Sequence, residues 1–129
     1  MRKLMLFQVV PTRVHGIVDY IEGPTLLAAP MLFGLQDVPA SALAPRIAGT
    51  GSTLYSLVTD YEVAPVRMLP MAGHLALDVM AGSLLAASPW LFGFAKSGRQ
   101  YWLPHVLVGV GKVGIALMTR TQPSDRPQL

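Results

Sequence analysis

Cysteine is absent from this 129-residue sequence, and charged residues are scarce. The lack of cysteine excludes disulfides, thiolate metal sites and cysteine nucleophiles. Charged residues make up 13% of the chain, whereas an ordinary soluble domain has about 25%. A domain this small cannot bury an apolar fraction of 52% inside itself. The excess apolar surface therefore predicts an integral membrane protein whose first partner is the lipid bilayer.

Four apolar stretches follow one another along the chain, at about 15–34, 42–60, 71–94 and 102–119. Each is close to the roughly 20 residues that a helix needs to cross about 30 Å of hydrocarbon. The segments between them are too short to hold a second domain. We therefore expect a single transmembrane domain over residues 1–129, an all-α integral membrane four-helix bundle, with a disordered tail at 122–129.

An internal repeat relates the two halves of the sequence. When the first stretch is laid over the third without a gap, the offset is 59 residues. The identical pairs include His15 and His74, Asp19 and Asp78, Gly23 and Gly82, Pro30 and Pro89, and Leu32-Phe33-Gly34 with Leu91-Phe92-Gly93. With one more residue of offset, Gly49 matches Gly109 and Thr59 matches Thr119. We predict two tandem helical-hairpin repeats, at about 12–61 and 71–121.

Basic residues predict the orientation of the chain in a membrane. Six lie on one side of the predicted bundle and three on the other; the first set is Arg2, Lys3, Arg13, Arg67, Arg120 and Arg126, and the second is Arg46, Lys96 and Arg99. This asymmetry predicts a multi-pass protein of the cell (inner) membrane with both termini in the cytoplasm. Because the basic residues are scattered and form no stripe, no nucleic-acid partner is predicted.

Residues 86–93 read Ala-Ala-Ser-Pro-Trp-Leu-Phe-Gly, which resembles the signature of the SPW repeat family of small bacterial and archaeal membrane proteins. The resemblance implies a multi-helix membrane protein without an established biochemical activity. The first copy keeps Pro30 and the following Leu-Phe-Gly but lacks the serine and tryptophan. We expect Pro89 to bend or end a helix, Ser88 to bond a freed backbone carbonyl and Trp90 to anchor that end at the interface. A binding role for Trp90 is the alternative.

Ionisable residues inside the apolar stretches are the candidate functional residues, because a charge at the bilayer centre costs about 2.5 to 3.5 kcal/mol or more. His15 with Asp19, and His74 with Asp78, are spaced four residues apart, which puts each pair on one helix face. Lys112 lies in the middle of the fourth stretch. Its long stem reaches towards the two aspartates, so we expect an ion pair with Asp78 or Asp19.

Four glycines and one further histidine in the apolar stretches also have predicted roles. Gly23 and Gly82 continue the His/Asp face, so we expect that face to pack closely against a neighbouring helix. The Gly49 and Gly109 segments are also interpreted as packing positions, since they lack the spacing of a phosphate loop. His105 lies near the opposite surface and is expected to face the headgroups.

Three interpretations of the polar residues stay open. In the first, they neutralise one another and fix the packing of the repeats; in the second, they form a proton or ion pathway. In the third, His15 and His74 bind haem or a metal, each oriented by its own aspartate. No catalytic residue is predicted, and no metal or cofactor is assigned apart from haem in the third interpretation.

The function favoured by the sequence is structural. The protein would associate with itself or with other membrane proteins, and no enzyme activity is expected. The alternative is a small transporter, a proton pathway or a haem-binding redox subunit that uses the polar residues.

Overall fold

Four α-helices account for most of the computed structural model, which describes residues 8–127. They are α1 (Thr12–Leu32), α2 (Pro39–Leu57), α3 (Met71–Leu91) and α4 (Arg99–Met118), with a 3-10 turn at Ala95–Ser97 before α4. The described residues form no strand, only two isolated bridges. Proline sets three of the four starts: Pro11 and Pro70 precede α1 and α3, and Pro39 opens α2. The all-α prediction is confirmed.

The first and third helices end in the same way. In both, the amide of a phenylalanine, Phe33 or Phe92, donates to the carbonyl four residues earlier. The next residue is Gly34 with φ 65° or Gly93 with φ 74°. Glycine adopts this left-handed conformation without a steric penalty, and it commonly ends helices. The repeated Leu-Phe-Gly is therefore a helix-stop signal.

The helices pack mainly as two hairpins, α1 against α2 and α3 against α4. Glycine lies at both crossings. A Cβ on Gly49 would lie 2.6 Å from the carbonyl oxygen of Gly23, and one on Gly109 would lie 2.5 Å from that of Gly82. Only glycine permits backbones to approach this closely. The predicted close contact of Gly23 and Gly82 with a neighbouring helix is confirmed.

The start of each hairpin pairs with the end of the other. Val10 forms a bridge with Thr119, and Leu69 forms a bridge with Thr59. The amide of Val10 donates to Met118 at 2.9 Å. These pairs bring the beginning of α1, the end of α4 and the 58–70 segment to the same end of the bundle, here called the inner end.

The segment after α4 folds back over the inner end. The two terminal guanidinium nitrogens of Arg67 donate to Asp125, at 2.7 and 2.8 Å. The amide and hydroxyl of Ser124 donate to Glu62, at 3.2 and 2.7 Å. Charged partners in the 58–70 segment thus contact residues 124 and 125 of the tail that the sequence predicts to be disordered; residues 128 and 129 of that tail lie outside the described part.

Large apolar side chains are exposed on every helix, among them Ile21, Leu54, Leu84 and Val110. By length and composition, α3 and α4 could cross a membrane. The helices α1 and α2 are less apolar, because α1 carries Asp19 and Glu22 and α2 is rich in serine and threonine. The sequence predicts four membrane-spanning helices, and length and composition support two of them.

Candidate functional site

Two histidines and two aspartates meet inside the bundle near the inner end. His15, Asp19, His74 and Asp78 are each no more than 2% exposed, and their nitrogen and oxygen atoms lie within 4.8 Å of one another. We call these four residues the His/Asp cluster. Within each helix the predicted pairing is present: His15 Nε2 lies 3.4 Å from Asp19, and His74 Nε2 lies 3.1 Å from Asp78.

The closest contacts of the cluster cross between the hairpins. His15 Nε2 lies 2.8 Å from Asp78 Oδ2, and His74 Nε2 lies 3.0 Å from Asp19 Oδ2. Each histidine is therefore closer to the aspartate of the other hairpin than to the aspartate of its own helix. The cluster therefore joins the two hairpins through buried polar contacts.

Two threonines orient the histidine rings. Thr119 Oγ1 lies 2.7 Å from His15 Nδ1, and Thr59 Oγ1 lies 2.7 Å from His74 Nδ1. Each threonine donates its proton to the carbonyl four residues earlier, at 2.6 and 2.7 Å respectively. A hydroxyl has one proton, so each threonine must accept from the Nδ1–H of its histidine. With each Nδ1 occupied by a threonine, only the Nε2 atoms remain to contact the carboxylates.

A second set of polar groups lies against Asp78. Lys112 Nζ is 3.1 Å from Asp78 Oδ1, 2.9 Å from Glu22 Oε1 and 3.1 Å from Ser52 Oγ. The Tyr55 hydroxyl also donates to Asp78 Oδ1. The expected Lys112–Asp78 ion pair is present. Glu22 and Tyr55 were not expected from the sequence, because neither position is repeated.

The charges around the cluster do not balance when both imidazoles are neutral. Asp19, Asp78 and Glu22 carry three negative charges, and Lys112 carries one positive charge. The hydroxyl of the buried Tyr61 donates to Asp19 at 3.1 Å, but it adds no charge to the site. Burying unpaired charge is costly. Neutrality at this site therefore requires two further positive charges, from protons or from another cation.

The family model for the SPW repeat domain matches residues 13–119, a span that includes the whole His/Asp cluster, Lys112 and the Ser-Pro-Trp motif. The chain belongs to the SPW repeat family. No match is found among curated proteins or among solved structures.

The Ser-Pro-Trp motif of this SPW repeat protein lies in the last turn of α3. Pro89 has no amide to donate to the carbonyl of Leu85, and the hydroxyl of Ser88 bonds that carbonyl instead, at 2.7 Å. Trp90 is 61% exposed, and its ring lies 6.0 Å from that of Trp102. The bond from Ser88 to a freed carbonyl is present, α3 continues past Pro89 to Leu91, and Trp90 lies at the surface.

His105 lies at the opposite end of the SPW domain, and its predicted exposure to headgroups is wrong. It is 2% exposed, its Nε2 donates to the carbonyl of Ser41 at 2.8 Å, and its ring packs 4.9 Å from that of Phe94. The position near the end of an apolar stretch suggested a surface residue, but the start of α2 packs over it. His105 joins the hairpins at this end.

Proposed function

We propose that this SPW repeat protein is a multi-pass protein of the cell membrane and acts by association instead of catalysis. In this proposal all four helices lie in the bilayer and the hairpins are two copies of one unit. The distribution of side chains carries the proposal: away from the helix ends, the ionisable groups of α1, α3 and α4 turn inward, whereas the exposed faces are mainly apolar. Arg13 and Arg99, which are exposed, lie at the starts of α1 and α4. Lipid accepts such a surface, and water does not.

The repeat part of the proposal rests on paired geometry. Equivalent glycines lie at both helix crossings, and both histidines bond a threonine of the other hairpin. Because each unit crosses the membrane twice, two copies enter from the same side, with the symmetry axis along the membrane normal. The His/Asp cluster lies where the copies meet, so its first role is to hold them together.

The alternative of a proton or ion pathway has weaker support. The cavity beside His105, at the other end of the bundle, is lined mainly by apolar groups such as Leu26, Leu85 and Val108, and none of the described residues that line it is an aspartate, glutamate, lysine or arginine. A pathway across the membrane needs polar groups along its whole length.

The association part rests on a groove between α2 and α3. It has a volume of about 300 Å³, and its lining combines larger apolar side chains with small residues, including Ala44, Ala48 and Gly51 of α2 and Ala81 of α3. In a bilayer, small residues favour close contact with another helix. We propose a second copy of the chain as the occupant.

Topology can be tested directly because the chain has no cysteine. Single cysteines would replace Gln36 in the α1–α2 segment or Val66 in the α2–α3 segment. With both termini cytoplasmic, an impermeant maleimide should label the Gln36→Cys chain in intact cells and the Val66→Cys chain only after permeabilisation. The reverse pattern would invert the orientation, and recovery of the chain in the soluble fraction would overturn the membrane assignment.

Association can be tested with two equivalent glycines. A Cβ added to Gly51 in the groove, or to Gly111 on α4, would meet no atom of the described residues within 4 Å, so a cysteine fits at both. A short bis-maleimide in membranes should cross-link Gly51→Cys chains into dimers and leave Gly111→Cys chains as monomers. Equal cross-linking of both variants, or of neither, would contradict association through the groove while leaving the topology result intact.

A further inference from the structure

We propose that the His/Asp cluster is a binding site for one divalent transition-metal ion, with His15 Nε2, His74 Nε2 and one oxygen each of Asp19 and Asp78 as ligands. Two imidazoles with two carboxylates are a donor set that suits zinc and its first-row neighbours. This inference does not depend on the orientation of the chain or on its association.

An unpartnered nitrogen points to a ligand in the cluster. His74 Nε2 is buried and makes no hydrogen bond with the described residues, although it lies 3.0 Å from Asp19 Oδ2 and 3.1 Å from Asp78 Oδ2. The contact between Thr59 and Nδ1 fixes the direction of the His74 ring. In this direction an N–H on Nε2 would point at neither carboxylate oxygen. A buried polar atom without a partner requires an explanation. A lone pair on Nε2 directed at a shared cation supplies one.

The spacing of the donor atoms suits an ion. Zinc binds nitrogen and oxygen at about 2.0 to 2.2 Å, which separates neighbouring tetrahedral ligands by about 3.3 Å. Asp78 Oδ2 lies 2.8 and 3.1 Å from the two Nε2 atoms, whereas Asp19 approaches His15 with Oδ1 at 3.4 Å and His74 with Oδ2 at 3.0 Å. One donor atom from each residue lies within 4.8 Å of the others. A cavity of about 10 Å³, close to the least space that holds one water, lies beside the cluster and is lined by His15, Asp19 and Asp78 but not by His74. A single ion therefore fits with small shifts, whereas a porphyrin has no room.

Each of the four donors has an outer partner that holds it in place. Thr119 and Thr59 accept from the histidines, Tyr61 donates to Asp19, and Tyr55 and Lys112 contact the Oδ1 of Asp78. Oδ2 of Asp78 is thereby left to face both histidines. Metal ligands in proteins are oriented by such partners. Finding them on all four residues favours a built metal site over a chance group of charges.

The charge of the site also favours a divalent cation. With neutral histidines the cluster and its neighbours Glu22 and Lys112 carry two excess negative charges, as described above. A divalent cation balances them, and it binds the neutral form of imidazole that the site requires. Protonation of both histidines would balance the same charge, and this is the competing explanation that an experiment must separate.

The experiment uses the full chain in mild detergent, purified without a polyhistidine tag and stripped with a chelator. Equilibrium dialysis against Zn²⁺, followed by elemental analysis, should give one ion per chain. Co²⁺ should give visible absorption bands that Zn²⁺ abolishes. Failure of both ions to bind at one per chain would overturn the proposal in favour of two protonated histidines.

Variants locate the site. His74→Gln should abolish stoichiometric binding, whereas the matched control His105→Gln, which removes a buried histidine at the other end, should retain it. Thr59→Val keeps all four ligands and should weaken Zn²⁺ affinity by about 10- to 100-fold. If His74→Gln does not fold, Thr59→Val decides: an unchanged affinity there, or equal loss in His105→Gln, would overturn the site.

Discussion

His15 Nδ1 lies 2.7 Å from the hydroxyl of Thr119, which joins the fourth residue of α1 to the end of α4 across 104 positions of the chain. The same bond occurs between His74 and Thr59. Each hairpin thus supplies the threonine that orients the other hairpin's histidine. Neither hairpin alone completes its own histidine contacts, which explains why the buried site and the pairing of the halves depend on each other.

Replacement of Thr119 by valine removes the acceptor but keeps the shape of the side chain. His15 Nδ1–H is then buried without a partner, which typically costs about 1 to 3 kcal/mol. We expect a loss of that size in the free energy of unfolding, measured by denaturant titration in mixed micelles. The control Thr50→Val lies on an exposed face of α2 and should change stability little; equal effects would contradict the role of the bond.

Asp78 has more basic neighbours than any other member of the cluster, since it contacts His15, His74 and Lys112. The change Asp78→Asn keeps the size and removes the charge. Removing one partner of a buried ion pair costs about 3 to 5 kcal/mol, so this variant should be less stable than Thr119→Val. Asp37→Asn in the exposed α1–α2 segment is the matched control.

A double-mutant cycle tests whether Lys112 accounts for this loss. Lys112→Met combined with Asp78→Asn should cost less than the sum of the single changes, because contacting charges are not independent. Additive losses would show that Lys112 and Asp78 are not energetically coupled.

Much of the site follows from the repeat. The identity of His15 with His74 and of Asp19 with Asp78, at four-residue spacing, was enough to predict both intrahelical pairs. Lys112 could be paired with Asp78 because helical rise places them at similar depth. The glycines at the helix crossings also lie at repeated positions, and close packing is their general role in membrane helices.

Other parts depend on tertiary packing. Glu22, Tyr55 and Tyr61 have no repeated counterpart, so the sequence offers no pairing to reveal them. Thr59 and Thr119 are equivalent positions of the repeat. A threonine in an apolar stretch, however, gives no sign that its hydroxyl faces a histidine ring from another helix. His105 was misplaced because distance along a helix does not tell which neighbour covers that level.

The two glycines of the α4 segment should respond differently to alanine. A Cβ on Gly109 would lie 2.5 Å from the Gly82 carbonyl oxygen, whereas one on Gly111 meets no atom of the described chain within 4 Å. Overpacking typically costs about 1 to 3 kcal/mol. We therefore expect Gly109→Ala to lower the free energy of unfolding by that amount and Gly111→Ala to leave it nearly unchanged. Similar values for the two variants would mean that the helix crossing is looser than described.

The chain's two tryptophans, Trp90 and Trp102, lie at the same end of the bundle. If this end sits at the lipid headgroups, intrinsic fluorescence in vesicles should be quenched more by lipids brominated near the headgroup than by lipids brominated near the chain end. The single variants Trp90→Phe and Trp102→Phe should each keep this order. Stronger quenching from the chain ends would place the motif in the middle of the bilayer.

The tail contacts at the inner end should be lost in acid. Hydrogen bonds from Arg67 lower the pKa of Asp125. Burial alone would raise the pKa of Asp60, but hydrogen bonds from Arg126 and Arg67 outweigh burial and lower it. A carboxylate whose pKa is lowered on folding stabilises the folded form above its ordinary pKa, and this contribution is lost as pH falls through the lower folded value. The tail should therefore stay docked at neutral pH and detach only below about pH 4.

A nitroxide on a Pro127→Cys chain measures this docking, because the background contains no other cysteine. We expect an immobile spectrum at pH 7 and a mobile one well below pH 4. Asp125→Asn removes the charge that Arg67 holds through two bonds, so this variant should give the more mobile spectrum already at pH 7. The control Asp37→Asn changes an aspartate far from Arg67 and should behave as the unsubstituted chain. A spectrum that is mobile at every pH in all three chains would show that these ion pairs do not hold the tail.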